Sequence, residues 1–192
     1  MRINESDTNY LDRRLAERLA TLRKDQGWTL DDAAERSGVS RASLSRIERG
    51  EISPTASVLG RLCKAFKVPM AVLFSASEDR GLDLVPASEQ SVWTDPHSGF
   101  RRRSLSPARP GYKGAVILGE LPAGATISYP DTPIPELEHH LWLQSGALEM
   151  RIGSLVHRLS AGDCLRFKLT EGNSYFAPGP ETARYVLTVI SP

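Results

Sequence analysis

The chain has 192 residues, 40% of them hydrophobic and 24% charged, which is ordinary for a globular protein and enough for one large domain or two small ones. The net charge of +1 is too small to indicate nucleic-acid binding by itself. Residues 1–75 hold 13 Lys and Arg against 10 Asp and Glu, whereas residues 76–192 hold 11 against 13. The N-terminal part is therefore the more basic one.

Neither a membrane span nor a secretion signal is predicted. No apolar run approaches the ~20 residues that a membrane helix needs, and the N-terminal segment MRINESDTNY is polar. The two cysteines, Cys63 and Cys164, form neither a disulfide framework nor a zinc pattern. We expect both to be small core residues of a cytoplasmic protein that has no contact with a membrane.

Helical spacing extends from the N-terminus to about Ser75. A leucine repeat with charged residues between its members predicts the first helix: Leu11, Leu15, Leu19 and Leu22. Cap residues, turn glycines and prolines mark four further short helices, at Gly27, Thr29, Gly38, Ser40, Gly50, Pro54, Thr55 and Pro69. The spacing therefore predicts a compact bundle of five short helices.

Residues 30–49, LDDAAERSGVSRASLSRIER, have the pattern of two short helices joined by a tight turn. Ala34 is small where the helices touch, and Gly38 tolerates the positive φ of the turn. Leu44 and Ile47 form an apolar stripe that leaves the other face of the second helix free. Together these features predict a helix-turn-helix, whose second helix enters the major groove of DNA.

The second helix of this pair supplies most of the candidate DNA-binding residues. Arg41 and Arg46 can make bidentate bonds to guanine, and Ala42 can contact a thymine methyl. Thr29 and Ser40 lie at helix starts, where hydroxyl and amide groups bind phosphate, and Arg49 adds a charge. The predicted set is Thr29, Ser40, Arg41, Ala42, Ser43, Ser45, Arg46 and Arg49. The alternative is a solvated basic face without a ligand.

The segment LAERLATLRKDQGWTLDDAAERSGVSRASLSRIERGEISPTASVLGRLCKAFKVPMAVLF, Leu15 to Phe74, resembles the lambda-repressor-like (XRE) helix-turn-helix family. The match runs through all five predicted helices and includes IERGEISP after the second helix of the pair. The resemblance implies an all-α five-helix bundle that binds double-stranded DNA. One such helix covers only a few base pairs, so we expect a homodimer on an inverted-repeat operator.

The pattern changes after the helical part. Residues 76–106 are polar and turn-rich, which predicts a linker and a lead-in strand. Short runs of period two follow, separated by turn residues, and predict a β-sandwich or barrel: AVILGEL, SGALEMRIG, LVHRLSAGD, CLRFKL and ARYVLTVI. The predicted organisation is a tail at 1–8, a helix-turn-helix domain at 9–75, the linker at 76–106 and a β domain at 107–192.

The segment ELEHHLWLQSGALEMRIGSLVHRLSAGDCLRF resembles the cupin family, with Gly162 and Asp163 at the turn between its two motifs. The resemblance implies an all-β cupin, or jelly-roll, barrel that binds a small-molecule effector and helps the chain to dimerise. The histidine pair of the first motif falls at Ile134 to Glu136, where this chain has none. The histidine of the second motif falls near Asn173. We therefore predict neither a metal nor a cofactor.

Six residues are candidates for binding the effector: Glu138, His140, Trp142, Met150, Arg166 and Tyr175. Neighbouring strand residues point to opposite faces, so Glu138 and His140 can face together while His139 cannot join them. A metal of this kind normally takes at least three protein ligands, and no clear third follows from the sequence. Arg166 leaves two alternatives: it faces the cavity and binds a carboxylate or sulfonate, or it is ordinary surface.

The triplet Arg101, Arg102 and Arg103 predicts a solvated turn or strand edge, with DNA-backbone contact as the alternative. No nucleophile–base pair, GxSxG motif or phosphate loop is present, which argues against an enzyme. An XRE domain followed by a small cupin resembles a group of bacterial transcription regulators. The chain is therefore predicted to regulate transcription in response to an effector. The alternative is a metal-binding cupin enzyme or metal sensor fused to a DNA-binding domain.

Overall fold

The computed structural model describes residues 5–74, 84–109, 111–132 and 134–192, with side chains from residue 12 onward. The helices lie in the N-terminal part of the chain: α1 (Glu5–Asp25), α2 (Leu30–Ser37), α3 (Arg41–Glu48), α4 (Ala56–Phe66) and α5 (Met70–Leu73). Helix α1 begins inside the predicted tail at 1–8. No helix in the described ranges combines the length and apolar character needed to cross a membrane.

Local hydrogen bonds begin and end the α2–α3 pair at the predicted residues. The Thr29 hydroxyl accepts a bond from the Asp32 amide (3.1 Å), and the Asp32 carboxylate accepts one from the Thr29 amide (2.8 Å). The Ser40 hydroxyl caps α3 by accepting from the Ser43 amide (3.2 Å). Gly38 ends α2 with a φ of +67°, a left-handed conformation in which any side chain is strained. The predicted turn is confirmed.

One apolar cluster holds the helices together. The predicted core residues Ala33, Val39, Leu44 and Ile47 are each less than 5% exposed, and Leu30 and Ala34 pack against them. Helix α1 contributes Leu15 and Leu19 to the same cluster, and α4 contributes Leu59 and Leu62. Helices α2 and α3 are therefore packed against α1 and α4, since α3 buries its whole apolar stripe.

The C-terminal part consists of antiparallel strands in two sheets, which confirms the predicted β-rich half. The strands are β1 (Val92–Thr94), β2 (Arg101–Ser106), β3 (Gly114–Leu121), β4 (Thr126–Tyr129), β5 (Leu137–Ser145), β6 (Ala147–Ile152), β7 (Leu155–Ser160), β8 (Cys164–Leu169), β9 (Asn173–Phe176) and β10 (Ala183–Ile190). One sheet has the order β1-β2-β3-β10-β5-β8, and the other has the order β4-β9-β6-β7. Their facing sides form the core of the β-rich part.

Strand alternation decides which residues enter this core. Leu137, His139, Leu141 and Leu143 of β5 are buried, whereas the residues between them are partly or fully exposed. The same parity places Cys164, at the start of β8, on the solvent side. Cys63 is buried in α4 as predicted, but Cys164 is exposed, so the prediction of two core cysteines was wrong for the second.

Two strands of the β-rich part lie within the segment predicted to hold a linker and a lead-in strand. Strands β1 and β2 belong to the six-stranded sheet, so the boundary predicted at residue 107 falls after its first two strands. Strand β2 reads RRRSLS, and its inward positions carry Arg102 and Ser104 in place of aliphatic residues. The usual apolar alternation is therefore missing from its sequence. Residues 75–83 of the predicted linker lie outside the described residues.

The helical and β-rich parts pack directly against each other. The buried Asp95 accepts a hydrogen bond from the Ala56 amide (3.0 Å) at the first residue of α4, where the helix dipole favours a negative charge. The Trp93 indole donates to the Ser53 hydroxyl (3.3 Å), and its ring lies 5.9 Å from the ring of Phe74. The junction is therefore a specific polar and aromatic contact.

Candidate functional site

Helix α3 turns one face to the core and the opposite face to solvent. Leu44 and Ile47 are each 3% exposed and anchor the helix. The outward face carries the predicted base-reading residues Arg41, Ala42, Ser43, Ser45 and Arg46. Arg41, Ala42 and Arg46 are exposed, and the two serines are partly buried. The structure thus brings these five side chains to one side of one helix.

The predicted phosphate-binding residues lie at the ends of the same helix pair. The Thr29 hydroxyl donates to Asp32 (2.6 Å), and the Ser40 hydroxyl donates to the Ser43 hydroxyl (2.8 Å). Bonds from Thr29 hold the pKa of the Asp32 carboxyl below its usual value. Both hydroxyls are therefore engaged within the protein, and they also hold the helix N-termini in place.

The exposed arginines pair with exposed carboxylates in this structure. Arg41 lies 3.1 Å from Asp31, with side chains 63% and 76% exposed. Glu51 accepts from Arg49 (2.6 Å) and lies 3.7 Å from Arg46. Exposed pairs of this kind contribute about 0–1 kcal/mol, so the guanidinium groups can leave them for a stronger anion.

A buried ion pair between α1 and α3 was missed by sequence reasoning. The Arg23 guanidinium forms two parallel bonds to the Glu48 carboxylate (2.7 and 2.8 Å) and a third to the Trp28 carbonyl (2.7 Å). The two side chains are only 14% and 12% exposed. The hydrogen bond to Glu48 raises the pKa of Arg23. The partners lie 25 positions apart in the sequence, where each has the pattern of an ordinary surface charge on its own helix.

A cavity of about 90 Å³ lies between the two sheets and reaches the helical part. Its wall on the helical side is formed by Gly60 and Cys63 of α4 and by Pro69, Met70 and Ala71 at α5. Helix α4 approaches β4 so closely that a Cβ added at Gly60 would lie 3.1 Å from Tyr129 Cδ1. The DNA-binding part of the chain is therefore one wall of the cavity in the β-rich part.

The polar groups of the cavity are few and buried. Arg102, His139 and Asn173 line it with residue exposures of 4%, 7% and 7%. His139 Nδ1 has no hydrogen-bond partner among the described residues. Asn173 is the position near which the cupin spacing places a histidine, and it lies on the cavity wall. Aromatic rings complete the lining, namely those of Phe100, Tyr129, Tyr175 and Tyr185.

The structure places only some of the predicted effector-binding residues at this cavity. Tyr175 lines the cavity. Met150 is fully buried but is not part of the wall. Glu138, His140, Trp142 and Arg166 lie on the outer face of the six-stranded sheet, where His140 is the direct cross-strand neighbour of Arg166. Of the alternatives for Arg166, the structure shows the surface one.

The parity of β5 decides which of its two neighbouring histidines reaches the cavity. His139 shares its face of β5 with Leu137, Leu141 and Leu143, and this leucine face is the core face. The leucines were the available signal, and they place His139 inside and His140 outside. Arg102 is the second residue missed: as the middle member of an extended triplet, it points inward while Arg101 and Arg103 point to the other face.

The outer-face residues do not form a metal centre in this structure. His140 Nε2 lies 2.6 Å from Glu138 Oε1, and this bond lowers the pKa of the Glu138 carboxyl. Across the described ranges, no three His, Cys, Asp or Glu side chains come together as ligands for one metal ion.

The burial of His139 predicts that acid destabilises the folded protein. Burial lowers its pKa to about 4, so between pH 6.5 and 4.5 the unfolded chain binds a proton that the folded chain does not. Stability is therefore fully present above the unfolded pKa and is lost as pH falls. We expect His139→Asn to reduce the acid-induced loss of unfolding free energy by roughly 2 kcal/mol over this range.

Urea unfolding of the full chain at several pH values, followed by tryptophan fluorescence, measures this effect. His97→Gln removes an exposed histidine and is the matched control for the loss of an imidazole. Parallel pH profiles of the wild type and His139→Asn would contradict the prediction.

Known proteins similar to this chain share both of its parts. Residues 14–73 match the family described as "Helix-turn-helix domain". The chain is 27% identical to the HTH-type transcriptional regulator SutR of Escherichia coli (strain K12), over 91% of this chain and 93% of that protein. It is 30% identical to the HTH-type transcriptional regulator PuuR of the same organism, over 54% of this chain and 60% of PuuR.

A crystal structure of an HTH_3 family transcriptional regulator from Vibrio cholerae has the same fold. Its TM-score to this chain is 0.78 at 23% identity, over 96% of this chain and 99% of that one. A helix-turn-helix domain is typical of DNA-binding transcriptional regulators, and here it precedes a β-rich part in the same chain. The similarity to SutR spans nearly all of both chains. The chain is thus similar to helix-turn-helix transcriptional regulators.

Proposed function

We propose that this chain binds a specific operator as a homodimer and controls transcription in response to a small molecule. The observation that supports it is the solvent face of α3, which offers Arg41 and Arg46 beside a helix N-terminus. Recognition helices dock in this way, with their N-terminal residues at base edges in the major groove. In this proposal the helical part is a lambda-repressor-like five-helix bundle, and the β-rich part is a cupin jelly-roll barrel.

The residues of the helix pair divide into two roles. Arg41 and Arg46 read guanine through O6 and N7, and Ala42 packs on a thymine methyl. Thr29, Ser40 and Arg49 hold phosphates and fix the register of the helix, while Ser43 and Ser45 supply hydroxyls along the same face. On binding, the arginines exchange their exposed pairs with Asp31 and Glu51 for DNA.

The operator is an inverted repeat. Helix α3 has 8 residues and covers only a few base pairs, so a single copy recognises too short a DNA sequence to be specific. Two copies related by a two-fold axis read two half-sites about 34–36 Å apart. The protein acts in the cytoplasm, where the DNA of a bacterium lies.

The β-rich part senses the effector in its cavity. The cavity wall includes α4 and α5, so an occupant contacts the DNA-binding part directly. A ligand with different affinity for two arrangements of the parts shifts their populations, and only that difference drives the response. In this proposal the signal passes through the shared wall as well as through the connecting segment at 76–106.

Selection of genomic DNA by the purified full chain tests the proposal. At moderate ionic strength the chain should retain a small set of fragments that share an inverted repeat. A double variant, Arg41→Ala/Arg46→Ala, should retain none of them selectively. The genes beside the retained fragments then indicate the class of effector. Retention of no fragment above bulk competitor, with and without metabolites, would contradict the proposal.

A further inference from the structure

A buried cation lines the cavity without an acid to neutralise it. Arg102 is 4% exposed, its Nη1 donates to the Ser104 hydroxyl (2.9 Å), and its guanidinium lies 4.5 Å from the centre of the Phe74 ring. Among the described residues no carboxylate forms an ion pair with it. Burial lowers its pKa to about 10, so the group still carries its charge at neutral pH.

A buried charge without a counter-charge destabilises a folded protein, and an anionic ligand that pairs with it removes that cost. The acid at the edge of the cavity, Asp131, is already paired with Lys64 of α4. His139 adds no charge, because burial keeps its imidazole neutral at pH 7. Among the described residues that line the cavity, Arg102 is therefore the one positive charge without a carboxylate partner.

We infer that the cavity binds a small monocarboxylate, whose carboxylate pairs with the guanidinium of Arg102. This inference rests on the proposed effector function of the β-rich part and names the chemistry of its ligand. A planar guanidinium matches a carboxylate through two parallel hydrogen bonds. A dianion such as phosphate would bring a second negative charge for which the lining has no partner.

The remaining surface of the cavity fits an apolar body. The rings of Tyr175 and Tyr185 stack 5.8 Å apart, and those of Phe100 and Tyr185 stack 6.4 Å apart. At 10–15 Å³ per water-sized group, a cavity of about 90 Å³ has room for roughly six to nine such groups. The ligand is therefore a short carboxylic acid with one apolar end, and the neutral His139 and Asn173 are left to bind a polar substituent.

Arg102 also links the ligand site to the DNA-binding part. Its guanidinium packs on Phe74, the residue that follows α5. A carboxylate bound to Arg102 changes the charge at this contact. The apolar body of the same ligand contacts the wall formed by α4 and α5. Occupancy of the site thus acts on the junction between the two parts.

Thermal unfolding of the full chain with three probes tests the inference: pentanoate, its neutral isostere pentanamide, and inorganic phosphate. Ligand binding raises the unfolding temperature in proportion to ln(1 + [L]/Kd). We expect millimolar pentanoate to raise it by several degrees, and the amide and phosphate to leave it unchanged. Absence of a pentanoate shift, an equal shift with pentanamide, or a shift with phosphate alone would overturn the inference.

Variants at the arginine triplet supply the second arm. In Arg102→Met the pentanoate shift should disappear, while the unfolding temperature without ligand should rise because a buried charge has been removed. Arg102→Lys should keep a reduced shift, and Arg103→Met, on the opposite strand face, should keep it in full. A full pentanoate shift in Arg102→Met, or a lower unfolding temperature of that variant without ligand, would show that Arg102 has only a structural role.

Genomic-fragment retention by the same preparations separates this inference from the proposed function. Retention without a pentanoate shift contradicts the carboxylate site alone. Absence of selective retention by the wild type contradicts the proposed function as a DNA-binding regulator. The probe comparison in the wild type decides the inference even where a variant does not fold.

Discussion

The Glu48→Ala variant should lose about 3 kcal/mol of unfolding free energy in its helical part, because it leaves a buried cation without its partner. Arg23 and Glu48 are 14% and 12% exposed and share two hydrogen bonds between α1 and α3. Removing the carboxylate leaves the Arg23 guanidinium with the Trp28 carbonyl as its remaining bond. Helix α3 would keep its apolar contacts with α1 but lose the ion pair that fixes its end, and operator binding would weaken as a consequence.

Urea unfolding followed by far-ultraviolet circular dichroism measures this loss. Asp31→Ala is the matched control in the same domain, since it breaks an exposed pair with Arg41 and should cost less than about 1 kcal/mol. The double variant Arg23→Met/Glu48→Leu should recover most of the stability, because no unpaired charge stays buried. A loss in Glu48→Ala no larger than in Asp31→Ala would show that the pair is not a structural tie.

The Arg46→Ala variant should lose about 10- to 100-fold in affinity for the operator and much less for random DNA, since a bidentate guanine contact contributes ~1–3 kcal/mol of discrimination. Arg46 and Arg49 are both more than half exposed and both lie beside Glu51, yet only Arg46 lies within α3. Arg49 follows the last residue of the helix, and we therefore expect it to contact phosphate.

The salt dependence of binding distinguishes the two arginines. Arg49→Ala should reduce the slope of log K against log salt by about 0.9 for the phosphate contact that it removes. Arg46→Ala should leave that slope nearly unchanged. Glu51→Gln, which removes the carboxylate that holds both arginines, should raise the affinity for operator and random DNA alike. Equal loss of operator and random-DNA affinity in Arg46→Ala would assign Arg46 to a phosphate.

Local sequence signals were sufficient for the helix-turn-helix. Caps and turns are decided by residues within four positions of each other, and Thr29, Gly38 and Ser40 occupy the predicted positions in the structure. The apolar stripe of Leu44 and Ile47 likewise decides which face of α3 stays free. No comparable local signal identifies Glu48 as the partner of Arg23, because the contact forms only when α1 packs across α3.

The sequence by itself determined that a helix-turn-helix precedes a β-rich domain, and it determined the period of the strands. In β5 the alternate leucines already mark the core face. In β2, which has no apolar alternation, only the tertiary structure decided which residues face inward, because both faces of a strand are alike until a second sheet covers one of them. In the structure His139 and Arg102 line the cavity, whereas His140 and Arg166 lie outside it. The wall formed by α4 and α5 was equally beyond local signals, since it joins residues that lie far apart in the chain and meet only when the two parts pack.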